Sequence, residues 1–303
     1  MSTSDITVGF VGLGHMGGPM AANLAKAGYV VKGFDLVPAA LEQARRDGIT
    51  VVESAAQAAT ESDVVITMLP SGKHVLDLYE GGLLTAARQG TLFVDSSTID
   101  VADARAAHEL AEQAGHRSVD APVSGGVMGA AAGTLAFMVG GADEDFEAAR
   151  PLLDVMGRKV VHCGGPGVGQ AAKICNNMIL GVSMIAISEA FVLGEKLGLS
   201  NQALFDVASN ASGQCWALTT NCPVPGPVPA SPANNDYQPG FAAALMDKDL
   251  GLAANALRTN AVDAELGLRA AELYRRFHET GHGGEDFSAI IRDIRDRSNG
   301  ETR

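Results

Sequence analysis

The fold of the first half of the chain is predicted by ten residues, Val8-Gly9-Phe10-Val11-Gly12-Leu13-Gly14-His15-Met16-Gly17. The apolar start of this stretch predicts a strand, and the GxGxxG spacing that follows predicts a tight turn opening a helix. Gly12 permits the turn, Gly14 lets a pyrophosphate approach the backbone, and Gly17 lets the helix pack closely on the strand. Glycines that serve only a turn are the alternative. The cofactor contacts expected in this loop are Gly12, Leu13, Gly14, His15, Met16 and Gly17.

An acidic residue at the end of the next apolar run identifies the dinucleotide. Asp35 follows this run and lies 18 residues beyond Gly17. In dinucleotide-binding folds an acid at this place hydrogen-bonds the adenosine ribose, and its charge repels the 2′-phosphate of NADP. The following Leu36-Val37-Pro38 adds no arginine. The sequence therefore predicts NAD as the cofactor.

Short apolar runs alternate with alanine-rich helical stretches through the first half of the chain. The runs cover residues 8–11, 30–34, 64–69, 92–94, 135–139 and 160–162. Alternating strands and helices are typical of parallel βαβ units. We predict an α/β fold, with a doubly wound Rossmann sheet in an N-terminal NAD-binding domain of residues 1–165.

The pattern changes after Gly164-Gly165-Pro166-Gly167. Residues 170–197 carry apolar side chains at helical spacing without a turn cluster, which predicts one helix about 40 Å long. Helical segments continue to the end of the chain. We predict that this long helix joins the Rossmann domain to an all-α C-terminal domain of residues 166–303, which serves the substrate and oligomerisation.

Composition narrows the classes of function and the expected location. A net charge of −13 disfavours binding to nucleic acid. The four cysteines lack the spacing of a zinc site, so no metal is expected and a reducing compartment fits. Only five residues precede the first strand, which leaves no room for a signal peptide. The apolar stretch 178–188 is shorter than the roughly 20 residues of a membrane span. We expect a cytoplasmic protein.

Three small residues in a row suggest an anion site. Asp120-Ala121-Pro122-Val123-Ser124-Gly125-Gly126 ends with backbone amides that side chains do not cover. Such amides can converge on a substrate carboxylate. An ordinary turn at Ser124, Gly125 and Gly126 is the alternative.

A lysine and an asparagine stand four residues apart on the long predicted helix. Lys173 and Asn177 therefore share one face, whereas Asn176 points about 100° away. If Lys173 faces a cleft, desolvation lowers its pKa and lets the neutral amine accept the proton of an alcohol. Asn177 would then hold the reacting oxygen. A lysine whose charged end reaches back to solvent from the helix start is the alternative.

Other candidates carry weaker signals. Strand ends at Leu69-Pro70 and Thr98 border the expected cofactor crevice, and His74 lies on one of its loops, although each could be a simple turn. No histidine stands beside an acid in a way that suggests a proton relay. The six prolines between residues 216 and 241 suggest a stiff surface loop, and Lys248-Asp249 suggests a solvated helix face.

The order of these segments resembles the β-hydroxyacid dehydrogenase family over nearly the whole chain. The matching motifs are the glycine loop, the segment from Asp120 to Gly126, Gly169-Gln170-Ala171-Ala172-Lys173-Ile174-Cys175-Asn176-Asn177, Ser212-Gly213-Gln214-Cys215-Trp216 and Leu245-Met246-Asp247-Lys248-Asp249-Leu250. The resemblance implies that Lys173 transfers the proton and that a dimer or tetramer forms. Implied substrate contacts are Ser124, Gly125, Gly126, Asn177, Trp216 and Asp249, and implied cofactor contacts include Leu69, Pro70, Thr98, Phe241 and Lys248.

The resemblance also implies a reaction, the NAD-dependent oxidation of the small 3-hydroxy acid 3-hydroxyisobutyrate to methylmalonate semialdehyde. The proline-rich loop matches the hydroxyisobutyrate branch. Alternatives within the family are reduction of tartronate, glyoxylate or succinic semialdehyde, or oxidation of L-serine. A dinucleotide-binding module without catalysis is the alternative from another class. 6-Phosphogluconate is disfavoured, because the C-terminal half lacks a basic cluster for its phosphate.

Overall fold

A computed structural model of the chain describes residues 6–300. It divides into two compact units, Met1–Lys173 and Ile174–Arg303. The first is built on one sheet with helices, and the second is helical. The predicted α/β class with a helical C-terminal part is confirmed.

The sheet of the first unit contains nine strands among the described residues. These are β1 (Thr7–Val11), β2 (Val30–Phe34), β3 (Thr50–Val51), β4 (Val64–Thr67), β5 (Leu92–Asp95), β6 (Arg117–Asp120), β7 (Val123–Ser124), β8 (Leu135–Gly140) and β9 (Gly157–Gly164). Their spatial order is β3-β2-β1-β4-β5-β6-β8-β7, with β9 also paired to β8. The first six strands follow the order of a Rossmann sheet.

The run of parallel strands aligns their carboxyl ends along one edge. β1 pairs in parallel with both β2 and β4, and β5 pairs in parallel with β4 and β6. The helices between these strands are α1 (Gly17–Lys26), α2 (Pro38–Arg46), α3 (Ala55–Ala59), α4 (Gly72–Leu78), α5 (Leu84–Ala86) and α6 (Val101–Gln113). The loops that leave β1, β4 and β5 consequently start side by side.

The far side of the sheet departs from the predicted parallel pattern. β8 runs antiparallel to β6 and β7, because the chain returns after α7 (Gly126–Ala132), whereas α8 (Asp143–Met156) leads to the parallel β9. Three strands escaped prediction. β3 and β7 have two residues each, and β6 is Arg-Ser-Val-Asp with a single apolar side chain.

Each face of the sheet is covered by apolar side chains. One buried cluster includes Phe10, Met20, Leu24 and Phe137, and the cluster on the other face includes Phe93. Phe10, Phe93 and Phe137 belong to apolar runs that predicted strands. Burial of the apolar side chains of both clusters from water is the main favourable term in the folding of this unit.

The second unit contains most of the long helix α9 (Val168–Lys196), which has 29 residues. The remaining helices are α10 (Asn201–Ala208), α11 (Trp216–Thr219), α12 (Ala243–Thr259), α13 (Glu265–Phe277) and α14 (Ile290–Ser298). Their core includes Phe191, Tyr274, Phe277 and Ile291. The predicted bounds of α9, residues 170–197, differ from these by two residues at the start and one at the end.

The proline-rich segment is not the surface loop that its composition suggests. Cys222, Val224, Ala233 and Tyr237 are buried in the core of the second unit. The Tyr237 hydroxyl donates a hydrogen bond to the Pro223 carbonyl, 2.7 Å away. Prolines stiffen the backbone, but the apolar residues between them determine where it packs.

Helix α9 is more apolar than the predicted stretch of residues 178–188 indicates. Its most apolar 18-residue window has a mean hydropathy of 1.7, so its length and composition alone would suit a membrane span. Within the protein, 44% of that window is buried. The core helix of a globular protein has the same properties.

Candidate functional site

The glycine loop after β1 has the geometry that its sequence predicts. Gly12 has a φ of +94°, and a Cβ there would lie 2.2 Å from the Met68 carbonyl oxygen. A Cβ on Gly17 would lie 1.9 Å from the Gly12 carbonyl oxygen, so α1 packs directly against the turn. By contrast, a Cβ on Gly14 would meet no atom within 4 Å. The backbone at Gly14 is therefore open to a ligand, and the loop fits a dinucleotide.

Asp35 lies beside this loop and its carboxylate is fixed in place. Oδ2 accepts a hydrogen bond of 2.6 Å from the Leu13 amide, and Oδ1 accepts one of 2.8 Å from the Val37 amide. The two oxygens are thus held by backbone on either side. A fixed negative charge next to the glycine loop suits a ribose diol and opposes a 2′-phosphate.

The loops after β4 and β5 meet beside the glycine loop. The Met68 amide donates to the Val11 carbonyl at 2.9 Å, and the Leu69 amide donates to Ser97 Oγ at 2.8 Å. Gly12, Leu69 and the Ser97-Thr98 segment consequently lie along one edge of the sheet. Pro70 and His74 are exposed nearby, and His74 Nδ1 lies 2.7 Å from Ser71 Oγ.

The three small residues 124–126 occupy a sharp turn. Ser124 ends β7, opposite Ala136 on β8, and the backbone turns at Gly125 and Gly126 with φ values of +129° and +62°. Both values lie in the region that favours glycine. Gly125 is exposed, whereas Ser124 and Gly126 are half-buried.

Lys173 and Asn177 are the two buried polar residues that the sequence singled out on α9. Lys173 is 6% exposed and Asn177 2%, so neither side chain is on the solvent face of the helix. Asn177 Nδ2 donates to Asp249 Oδ2 at 2.5 Å, and Asn177 Oδ1 accepts from Asn176 Nδ2 at 2.9 Å. The structure therefore joins Asn177 and Asp249, two predicted substrate residues.

The Lys248-Asp249 pair is not a solvated helix face. Asp249 is 5% exposed, and Lys248 is half-buried on the same helix, α12. Phe241 is half-buried, and its ring lies 5.7 Å from the Phe287 ring between centroids. Trp216 begins α11 with 51% of its surface exposed.

A buried polar network at the end of β6 was not predicted from the sequence. Asp120 Oδ1 lies 3.1 Å from His108 Nε2, and His108 Nδ1 lies 2.7 Å from Ser118 Oγ. The sequence showed no histidine placed beside an acid as in a proton relay, and it could not reveal this contact because His108 and Asp120 are 12 positions apart. Gln170 was missed as well, although its side chain bonds the backbone on both sides of Thr98.

Asp286, which the sequence did not predict either, fixes the backbone at Phe241. Its Oδ2 accepts hydrogen bonds from the Gly240 and Phe241 amides at 3.0 and 3.1 Å. Its Oδ1 accepts from Asn221 Nδ2 and from the Ser288 hydroxyl at 3.0 and 2.6 Å. A buried carboxylate surrounded by donors is stable in this position. Only the packing of distant segments reveals it.

The arrangement can bind a dinucleotide at the glycine loop. It also presents a buried amine and a buried amide one helical turn apart, which are the groups needed to move a proton and to hold an oxygen. Hydride transfer from an alcohol to a nicotinamide requires removal of the hydroxyl proton, which a neutral amine can accept.

Comparisons with known proteins agree with this geometry. The family model described as the NAD binding domain of 6-phosphogluconate dehydrogenase matches residues 7–165. The model described as NAD-binding of NADP-dependent 3-hydroxyisobutyrate dehydrogenase matches residues 167–294. Together they account for most of the chain.

Individual relatives are similar over nearly their whole length. A "Probable 3-hydroxyisobutyrate dehydrogenase" of Mycobacterium tuberculosis is 58% identical over 292 residues, covering 96% of this chain and 99% of the relative. An "NAD-dependent L-serine dehydrogenase" of Pseudomonas aeruginosa is 47% identical over 285 residues, covering 93% and 96%. The first name contains the expected substrate, 3-hydroxyisobutyrate, and the second contains the expected cofactor, NAD.

A solved structure shares the fold throughout. It is the 3-hydroxyisobutyrate dehydrogenase of Mycobacterium tuberculosis with L-serine, which is 58% identical with a TM-score of 0.93 and covers 96% of this chain and 99% of that one. The predicted resemblance is confirmed. The chain belongs to the β-hydroxyacid dehydrogenase family and is an NAD-dependent oxidoreductase similar to the 3-hydroxyisobutyrate dehydrogenases.

Proposed function

We propose that the protein oxidises 3-hydroxyisobutyrate to methylmalonate semialdehyde with NAD, as in valine breakdown. The observation that carries this proposal is the buried Lys173, followed one helical turn later by Asn177, whose amide is fixed by Asp249. The names of the similar proteins supply the substrate. The reaction converts a primary alcohol to an aldehyde and releases one proton.

Lys173 is the proton-transfer residue in this proposal. Removal from water disfavours the charged form of an amine, and a neutral Lys173 Nζ can accept the hydroxyl proton of the substrate. When bound, NAD supplies the acceptor for the hydrogen that leaves carbon with its electron pair. In the reverse reaction the protonated Lys173 returns the proton to the new alcohol.

Other residues hold the substrate and the cofactor. Asn177, oriented by Asp249, holds the reacting oxygen, and the Ser124-Gly125-Gly126 turn holds the carboxylate. Trp216 lies near the substrate. Leu69, Pro70, His74, Thr98, Phe241 and Lys248 contact the cofactor alongside the glycine loop and Asp35. We propose residues 1–165 as the NAD-binding domain and residues 166–303 as the substrate and oligomerisation domain. Phe241 and Lys248 add cofactor contacts from the second range, and the Ser124-Gly125-Gly126 turn adds a substrate contact from the first.

L-Serine is a second candidate substrate. The similar protein of Pseudomonas aeruginosa is named for this activity, and the solved structure from Mycobacterium tuberculosis is described with L-serine. L-Serine is also a 3-hydroxy acid, with an amino group where 3-hydroxyisobutyrate has a methyl. A site built around the shared carboxylate and hydroxyl accepts both in principle.

The proposal extends to the location, oligomeric state and partners of the enzyme. We assign it to the cytoplasm as a homodimer or homotetramer, with no nucleic-acid or membrane partner. The net charge of −13 opposes nucleic acid. Size-exclusion chromatography with light scattering measures the oligomeric state.

A substrate panel tests the proposal. Purified protein is incubated with NAD and one acid at a time, and NADH absorbance is followed. The acids are the two enantiomers of 3-hydroxyisobutyrate, L-serine, glycerate and 4-hydroxybutyrate. We expect the highest kcat/KM with one enantiomer of 3-hydroxyisobutyrate. A higher value with another acid would overturn the substrate assignment. Saturable NAD binding without turnover of any acid would indicate a module without catalysis.

A further inference from the structure

Two buried polar side chains of the first unit have no part in the chemistry proposed above. Asp120 ends β6 and is 2% exposed, and Gln170 lies in the first turn of α9 and has no exposed surface. Burial of polar groups is unfavourable unless hydrogen bonds replace water. Their partners therefore show what each side chain stabilises.

Asp120 binds the start of α9. Oδ1 accepts a hydrogen bond of 2.8 Å from the Gly167 amide, and Oδ2 accepts one of 2.9 Å from the Gln170 amide. The first amides of a helix lack partners within the helix, and a negative charge there is favourable. His108 lies 3.1 Å from the same Oδ1 and fixes the carboxylate from the other side. Asp120 thus joins the end of β6 to the first turn of α9.

Gln170 binds the loop that follows β5. Its Oε1 accepts a hydrogen bond of 3.1 Å from the Ile99 amide, and its Nε2 donates one of 2.7 Å to the Ser97 carbonyl. The side chain thereby pairs with the backbone on both sides of Thr98, as a neighbouring strand would. Both polar ends of the amide are used, so its orientation is unique.

The start of α9 lies directly against the sheet edge. A Cβ on Gly169 would lie 2.4 Å from the Met138 carbonyl oxygen and 2.7 Å from Asp120 Oδ2. A Cβ on Gly140 would lie 2.7 Å from the Gly169 amide nitrogen. With no room for a side chain at either position, the helix start has little freedom to shift.

We propose that Asp120 and Gln170 are positioning residues, which fix the first turn of α9 and through it set Lys173 relative to the cofactor loop at Thr98. This inference rests on the proton-transfer role of Lys173. Lys173 follows Gln170 by three residues, a rise of about 4.5 Å along the same helix. A displacement of about 1 Å in a reacting group can cost roughly 100-fold in rate.

Gln170→Met tests the proposal, because methionine has nearly the same shape but makes neither hydrogen bond. We expect kcat to fall ~10–100-fold while KM for the hydroxy acid stays within about twofold. Thr91→Val is the matched control. It removes a hydroxyl whose single proton is shared between the Ser62 and Arg88 carbonyl oxygens, 3.2 and 2.7 Å away, at the other end of β5. This variant should lose thermal stability and keep kcat.

A double-mutant cycle separates positioning from general destabilisation. If Gln170 acts through Lys173, Gln170→Met added to Lys173→Ala should change the residual turnover by less than about twofold. The proposal would be overturned if the fall in kcat of the double variant equalled the product of the falls in the two single variants. Wild-type kcat in Gln170→Met would overturn it as well. Should Gln170→Met fail to fold, Asp120→Asn, which keeps one acceptor oxygen, replaces it in the cycle with the same expectations.

The assay uses 3-hydroxyisobutyrate or L-serine, whichever the wild-type protein oxidises faster. A wrong choice of substrate therefore leaves the test intact. Absence of wild-type turnover with both acids refutes the proposed function, and this inference with it. Normal wild-type turnover together with wild-type kcat in Gln170→Met, or in Asp120→Asn where that variant replaces it, refutes this inference alone.

Discussion

Asn177 donates a hydrogen bond of 2.5 Å from its amide Nδ2 to Asp249 Oδ2, and both side chains are buried. The two residues are 72 positions apart in sequence. Rotation of a primary amide exchanges the positions of its oxygen and nitrogen. The bond to Asp249 therefore fixes Asn177 with Nδ2 towards the carboxylate. The orientation of Asn177 is therefore set by Asp249, together with Asn176 on its oxygen.

Asp249→Ala should weaken substrate binding by releasing Asn177. We expect KM for the hydroxy acid to rise about 10-fold, the cost of roughly one lost hydrogen bond to a charged group. Steady-state kinetics measure the change. Asp247→Ala on the same helix is the control, since Asp247 pairs with His278 and should be dispensable for catalysis. Equal KM values for both variants would show that Asp249 does not orient Asn177.

Asp35→Asn should relax the preference for NAD. Asparagine keeps an acceptor for the Leu13 or Val37 amide but loses the charge that opposes a 2′-phosphate. We expect the ratio of kcat/KM for NAD to that for NADP to fall at least ~10-fold. Asp47→Asn, at the half-buried residue that follows α2, should leave the ratio unchanged. An unchanged ratio in Asp35→Asn would remove the carboxylate from cofactor selection.

Two glycines of the cofactor loop should respond differently to alanine. In Gly17→Ala the new Cβ would meet the Gly12 carbonyl oxygen at 1.9 Å, so we expect a lower Tm as well as weaker NAD binding. In Gly14→Ala the Cβ meets no protein atom within 4 Å, so the Tm should stay near wild type while NAD binding weakens about 10-fold or more. Calorimetry and fluorescence titration measure the two effects.

Gly81→Ala provides the control for these substitutions, because its Cβ also meets nothing within 4 Å but lies outside the loop. It should change neither Tm nor NAD affinity appreciably. If Gly14→Ala bound NAD as Gly81→Ala does, the pyrophosphate would not lie against Gly14.

Asp95→Asn should stabilise the protein at neutral pH. Burial raises the pKa of Asp95 above its ordinary 3.8, although hydrogen bonds from Ser97 and Thr67 oppose the shift. Within residues 6–300, Oδ2 has no hydrogen-bond partner. Since the folded state favours the protonated acid, stability falls as pH rises from 3.8 towards the raised pKa.

The asparagine variant does not ionise and should therefore gain about 2–4 °C in Tm at pH 7, a gain that shrinks as the pH approaches 3.8. Scanning calorimetry across this range measures it. The control is Asp154→Asn at an exposed position. A gain that is constant with pH would mean that the ionisation of Asp95 is not its cause.

Elements that short sequence patterns encode could be predicted from the sequence. The glycine loop, Asp35 and α9 follow from residue spacing alone, because a turn, a helix start and an apolar helix are each encoded within a few residues. β6 could not be found in this way, since Val119 is its single apolar residue and its pairing with β5 supplies the rest of its stability.

The candidate substrate residues and the proposed positioning residues could be predicted only in part from the sequence. Lys173 and Asn177 stand out as polar residues on an apolar helix, but Asp249 gave no signal without the resemblance, because its partner lies on another helix. Asp120 and Gln170 fall within quoted motifs, yet their purpose depends on bonds across 50 and 73 residues. Hydrogen bonds between distant segments leave no periodicity in a sequence.

Lys173→Ala removes the amine to which proton transfer is assigned, so its turnover is the decisive measurement. Lys196→Ala on the same helix is its control, since Lys196 is exposed and bonds Asn299 Oδ1. We predict that kcat of Lys173→Ala with 3-hydroxyisobutyrate falls at least ~100-fold, while the NAD dissociation constant stays within about twofold. Lys196→Ala should keep wild-type kcat. Turnover of Lys173→Ala within about threefold of wild type would contradict the assignment of proton transfer to Lys173.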